Sequence, residues 1–196
     1  MMQFDLPKPR LTLGAIGHEG HGKTSLLAAI ARTAGVTGNA ASRPLVAIGA
    51  PQVECETASR RYKFVDYSSD PYSTGTSNPL DGVILVVAAT DGPMPGTQEH
   101  ILAARRAGIP AVVVFLNKTD VVDDPDLLDL VELEIRELLA KHDFSGDQTP
   151  IIRGSARAVE QSRAKSAAAP DYRCIHELLR AIDTYVPTPG YPHGLG

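Results

Sequence analysis

Residues 17–24 read Gly-His-Glu-Gly-His-Gly-Lys-Thr and match the pattern G-x-x-x-x-G-K-[ST]. No other feature constrains the fold as tightly, because this spacing works only where a strand runs into a helix. Residues 11–17 read as that strand, ending in a glycine-rich turn. Residues 23–34 read as the helix, with Leu26, Leu27, Ile30 and Ala34 on one face and Gly35 as its stop. Glycines let the backbone curl until successive N–H groups point at one anion, and the helix N-terminus reinforces the attraction. Lys23 then supplies a point charge to the β and γ phosphates, and the Thr24 hydroxyl is placed to ligate Mg²⁺.

Short apolar runs alternate with segments of helical period along the rest of the chain, the pattern of a parallel sheet covered by helices. Residues 46–55 and Arg61–Asp66 read as two strands joined by a polar turn at residues 57–59. Gly82–Ala88 and residues 111–117 are almost wholly apolar, as central strands buried on both faces are. Residues 97–107 read as a helix with Thr97 as N-cap, and Asp124-Pro125 opens another. On that second helix Leu128, Val131, Ile135, Leu138 and Leu139 fall to one side. Residues 151–154 read as a last strand, Arg173–Tyr185 as a last helix, and residues 160–169 as a solvated loop or helix. The expected fold is one doubly wound α/β domain over residues 1–187, with a mostly parallel sheet flanked by helices and a flexible tail over residues 188–196.

Composition narrows the function classes. In 196 residues, 43% hydrophobic and 21% charged content excludes a disordered chain and a coiled coil. A net charge of −4 with only 5% aromatics argues against a broad nucleic-acid face. The longest apolar runs, residues 83–89 and 111–116, are too short to span a bilayer, and no secretory signal is expected in residues 1–10. Cys55 and Cys174 have no metal-ligand spacing and read as reduced thiols of a cytoplasmic protein.

Asn117-Lys118-Thr119-Asp120 follows a buried strand, so it lies at the carboxyl edge of the sheet, where open α/β sheets bind ligands. A carboxylate at Asp120 can accept hydrogen bonds from both N1–H and the N2 amino group of guanine. Adenine lacks that donor pair. Asn117 and Lys118 would tie this loop to the phosphate loop and flank the base. Gly154-Ser155-Ala156 can offer backbone N–H groups to the guanine carbonyl.

These residues resemble the guanine-nucleotide domain of bacterial translation elongation factor Tu. The likeness is close in residues 17–24, 80–100 (LDGVILVVAATDGPMPGTQEH), 115–124 (FLNKTDVVDD) and 132–156. It implies a P-loop NTPase fold that binds GTP or GDP with Mg²⁺. By this resemblance Gly17, His18, Glu19, Gly20, His21, Gly22, Lys23, Thr24 and Ser25 form the phosphate site. Thr24 and Asp66 serve the metal, and Asn117, Lys118, Asp120, Ser155 and Ala156 hold the base.

The departures cluster where hydrolysis and signalling occur in the family. The first switch region is shortened, and the position of its Mg²⁺-binding threonine falls on Val46 or Ala47, neither of which has a side-chain oxygen. The family's Asp-x-Pro-Gly-His reads Asp66-Tyr67-Ser68-Ser69-Asp70 here. Asp70 either takes a proton from water, joining Lys23 in catalysis, or is a turn aspartate. Its repulsion of the γ-phosphate favours the turn. Glu19 places a charge where the family has an apolar residue, and Arg157 stands where it has an apolar residue against the base, so Arg157 either stacks on guanine or points to solvent.

The family's two following β-barrel domains have no counterpart in the chain, so delivery of aminoacyl-tRNA is not expected. His100 matches a family contact to the nucleotide exchange factor, or is an exposed helix residue. Three readings follow: a GTPase that hydrolyses GTP slowly or only with a partner; a hydrolysis-deficient nucleotide-binding module that competes for the ribosome or exchange factor; and a relic that binds no nucleotide.

Overall fold

The computed structural model describes residues 8–36, 43–46, 51–67, 80–166 and 168–188. Seven strands form one sheet in the order β2-β3-β4-β1-β5-β6-β7. They are β1 (Arg10–Ile16), β2 (Arg43–Val46), β3 (Pro51–Glu56), β4 (Arg61–Asp66), β5 (Gly82–Ala88), β6 (Val112–Asn117) and β7 (Ile151–Arg153). Strands β4, β1, β5, β6 and β7 are parallel neighbours, while β2 and β3 extend one edge as antiparallel strands. The helices are α1 (Lys23–Val36), α2 (Pro95–Arg106), α3 (Pro125–Lys141), α4 (Ala156–Gln161) and α5 (Arg173–Tyr185).

The central strands show why their sequence has no polar alternation. Successive side chains point to opposite faces of a sheet, and here both faces are covered. Val83, Leu85 and Val87 of β5 join Val112, Val114 and Leu116 of β6 under Ile101 of α2 and Val131, Ile135 and Leu139 of α3. Ile84, Val86, Val113 and Phe115 face the other way, under Leu26, Leu27 and Ile30 of α1 and Ile175, Leu178 and Ile182 of α5. The doubly wound α/β architecture is therefore present, with two cores separated by the sheet.

Local signals account for most boundaries. Asp124 caps α3 by accepting from the Asp126 N–H at 2.9 Å, and Pro125 takes the first helical position, where no N–H is missed. Three details depart from the sequence expectation. Residues 46–55 are not one strand: Val46 pairs with Pro51 and Arg43 with Glu54, so the chain reverses between β2 and β3. Proline at 51 lacks the N–H a central strand needs and sits instead at the start of β3. Helix α2 starts two residues early, at Pro95; Thr97 is its third residue, buried, with Oγ1 accepting from the Met94 N–H at 3.2 Å. Gly35 does not stop α1, which continues to Val36.

Residues 189–196 of the expected tail lie outside the described residues. No helix among the described residues is long and apolar enough to cross a membrane. Both cysteines are free thiols.

The two-sided core predicts a contrast between leucines. Leu26 is fully buried, whereas Leu130 on α3 is 52% exposed. Leu26→Ala should cost about 2–5 kcal/mol in urea unfolding, and Leu130→Ala within about 0.5 kcal/mol of nothing.

Candidate nucleotide-binding site

Strand β1 lies between β4 and β5, and the chain winds away from it on both sides. Such a reversal opens a crevice beyond the carboxyl ends of the strands. The segments that follow β1, β5, β6 and β7 emerge there beside the last residue of β4, Asp66, and they carry most of the residues singled out from the sequence.

The loop after β1 curls as its glycines permit. Gly17, Gly20 and Gly22 have φ of +137°, +81° and +92°, conformations that side-chain-bearing residues rarely adopt. Space is equally restrictive at two of them. A Cβ on Gly17 would lie 2.3 Å from the Val86 carbonyl oxygen, and one on Gly22 would lie 2.3 Å from Asn117 Nδ2. Lys23 begins α1 and folds back over the loop, where Nζ donates to the carbonyls of Gly17 (2.9 Å) and His18 (3.1 Å). Burial holds its ammonium below the ordinary lysine value, an effect partly offset by the carboxylates of Asp66 and Glu19. The loop thus presents a desolvated cation beside a helix N-terminus, which suits a phosphate.

Thr24 stands next to the last residue of β4. Its hydroxyl donates to Asp66 Oδ2 at 2.5 Å, while Asp66 Oδ1 is buried and has no hydrogen-bond partner. A hydroxyl beside an orphaned carboxylate oxygen is a hard-oxygen donor pair. That fits Mg²⁺, which takes one or two protein ligands and completes its shell with water and phosphate oxygens. Among the described residues no cluster of three His, Cys, Asp or Glu could hold a metal without such help. Asp70, Ser69 and Ala47 lie outside the described residues, as does the Val46 side chain.

One side chain joins the loop after β1 to the loops after β6 and β7. Asn117, 3% exposed at the end of β6, donates from Nδ2 to the His21 carbonyl at 2.9 Å and accepts at Oδ1 from the Ala156 N–H at 3.0 Å. Three separate loops meet on this amide. The next residue, Lys118, adopts φ +61°, which turns the chain into the short helical turn Thr119–Val121, where the Asp120 carboxylate is exposed. The Thr119 N–H bonds the Gly154 carbonyl at 3.2 Å, and the Gly154 N–H bonds Leu116 O at 3.0 Å. Ser155 caps α4 by accepting from the Ala158 N–H at 3.1 Å. The N–H groups of Gly154 and Ala156 thus hold the loops together. Arg157 is exposed, and His100 is half-buried on α2.

Two features escaped the sequence reading. His21 is 1% exposed, and neither ring nitrogen has a hydrogen-bond partner. Burial keeps its imidazole below the ordinary histidine value, so it is neutral at physiological pH. Its Nε2 lies 3.9 Å from the same Asp91 oxygen that lies 3.9 Å from Lys118 Nζ. Asp91, just past β5, therefore stands between the two loops. In addition, Gly154 packs so closely on α5 that a Cβ there would lie 2.6 Å from Cys174 Cβ. Neither feature has a local sequence signal beyond Asp91 in the polar turn after β5.

These contacts rank the glycines. Gly22→Ala meets both a forbidden φ and the Asn117 amide, whereas a Cβ on Gly20 meets nothing within 4 Å. Thermal unfolding should place Gly22→Ala below Gly20→Ala, each destabilised by about 1 kcal/mol of backbone strain and Gly22→Ala by roughly 1–3 kcal/mol more.

A family model described as the elongation factor Tu GTP binding domain matches residues 8–188, nearly the whole chain. The chain belongs to that family, whose members bind guanine nucleotide.

Proposed function

We propose that the chain binds GTP and GDP with Mg²⁺ at the carboxyl edge of the sheet, and that it hydrolyses GTP slowly or only when a partner completes the site. The observation that carries this reading is the Asn117 amide, which joins the loops at His21 and Ala156 into one cradle. The phosphates lie on the N–H groups of residues 17–25, and the Lys23 ammonium leaves its two loop carbonyls for the β and γ phosphates. Asp120 reads guanine by accepting from N1–H and N2, and the Lys118 stem flanks the base.

Magnesium, held by Thr24 and Asp66, would neutralise charge on the phosphoryl group. The protein's own part is to orient the phosphates and to exclude bases that leave Asp120 unpaired. Slow turnover is inferred from the sequence. Neither Val46 nor Ala47 supplies the side-chain oxygen of the family's switch threonine, and Asp70 replaces the histidine that positions water. The ribosome or a nucleotide exchange factor is the partner we propose, in the cytoplasm and with no part for a membrane.

The test is equilibrium binding of fluorescent GDP and of a non-hydrolysable GTP analogue, with Asp120→Asn as control. We expect saturable binding by the wild type and at least about a 100-fold loss in the variant, as befits a site built to pair a donor set. Unaided turnover should exceed the buffer rate yet stay on the order of 10⁻⁴ to 10⁻² s⁻¹, the range of GTPases that lack a helper. Turnover no faster than buffer, with and without ribosomes, would favour the interaction module. Binding of neither nucleotide by the folded protein would leave the relic.

A further inference from the structure

We infer that the chain holds a second ligand site, on the edge of the sheet opposite the crevice, for a small organic acid. The apolar body of the acid enters a cavity between α1 and α5, and its carboxylate meets Arg180. The site is independent of the nucleotide reading above. Strand β4 starts at Arg61 and runs parallel to β1 toward the crevice, so the turn at residues 57–60 that leads into it lies at the far edge. There the turn, the last part of α1 and one flank of α5 enclose a cavity of about 410 Å³. Small ligands bind in cavities of this size where apolar walls carry a few well-placed polar groups.

The walls have that character. Ala34 and Cys55 belong to the core beneath, and Leu179 packs against it. Burial, with the Asp183 carboxylate nearby, pushes the Cys55 thiol up to about 12, so it stays protonated and serves as an apolar wall. Most of the polar groups are already engaged. Thr33 Oγ1 donates to the Ala29 carbonyl at 2.8 Å. Lys8 Nζ donates to Glu56 Oε1 at 2.6 Å and to the Thr57 carbonyl at 2.8 Å. Asp183 Oδ1 accepts from the hydroxyls of Tyr62 and Thr57. These bonds tie the turn to α5 and to Lys8, so the walls are set before a ligand arrives.

Arg180 differs from its neighbours. It is exposed, and among the described residues no hydrogen bond or ion pair engages its guanidinium. It lines both this cavity and an adjoining hollow of about 430 Å³, where Arg173 is already paired with Glu177 at 2.8 Å. The surrounding charge favours an anion. Lys8 and Arg61 share one carboxylate, Glu56, and Arg60 spends its guanidinium on the Val186 carbonyl, so cations outnumber carboxylates at this edge. A planar guanidinium takes a carboxylate through two parallel hydrogen bonds, which suits an acid better than a neutral ligand of the same shape.

The experiment is to titrate the isotope-labelled full chain with phenylbutyrate, and with phenylbutanol, which shares the body and lacks the charge, following backbone amides by NMR. We expect saturable shifts for the acid at residues 55–58 and 176–183, with a dissociation constant on the order of 1 mM or tighter for a ligand of this size. The alcohol should bind about tenfold more weakly. Arg180→Ala, an exposed substitution that leaves the fold intact, should weaken the acid about tenfold and leave the alcohol unchanged. Equal binding of acid and alcohol overturns the inference, as does an Arg180→Ala chain that binds the acid as the wild type does. Shifts confined to the crevice at residues 17–25 and 117–120, or no shifts at all, also overturn it. None of these results decides nucleotide binding, which the titrations with GDP and the GTP analogue read separately.

Discussion

The site depends on the Asn117 side chain. Its amide spends both ends on backbone groups of other loops, donating to His21 O and accepting from Ala156 N–H. Remove it and a buried carbonyl and a buried N–H both lose their partner, each a desolvation cost of about 1–3 kcal/mol. The loops after β1, β6 and β7 would then no longer share a fixed separation. Gly22 exists for the same reason, because any side chain there would strike the amide.

That amide is placed by the sheet. Asn117 ends β6, which lies deep in the parallel region beside β5, with every residue from Val112 to Asn117 buried. Hydrophobic burial on both faces holds the strand, and the strand holds the amide. The same arrangement puts Asp66 at the end of β4 opposite Thr24, and Asp91 past the end of β5 between the loops. Rigid strand ends thus carry the polar groups, and the loops carry only the curvature that the glycines allow.

Much of this was legible in the sequence because its signals are contiguous. Residues 17–24 announce their curl through three glycines, and residues 82–88 and 112–117 announce burial through unbroken apolar runs. What was not legible depends on distant parts of the chain meeting. The bond from Asn117 to His21 spans 96 positions, and nothing near either residue encodes it. The neutral, buried His21 is invisible for the same reason. Local misreadings had local causes. Thr97 has the chemistry of an N-cap, but Pro95 is pre-organised for the first turn and starts α2 before it. The run from 46 to 55 is apolar enough for one strand, yet Pro51 pairs back on Val46.

The account stands or falls on whether this cradle selects guanine. Calorimetric titration of the full chain with GDP and with ADP, in the presence of magnesium, tests that most directly. The account predicts one GDP per chain and binding of ADP weaker by at least about 1,000-fold, since adenine leaves the Asp120 carboxylate without its donor pair. Equal affinities for the two nucleotides, or no heat with either, would contradict it.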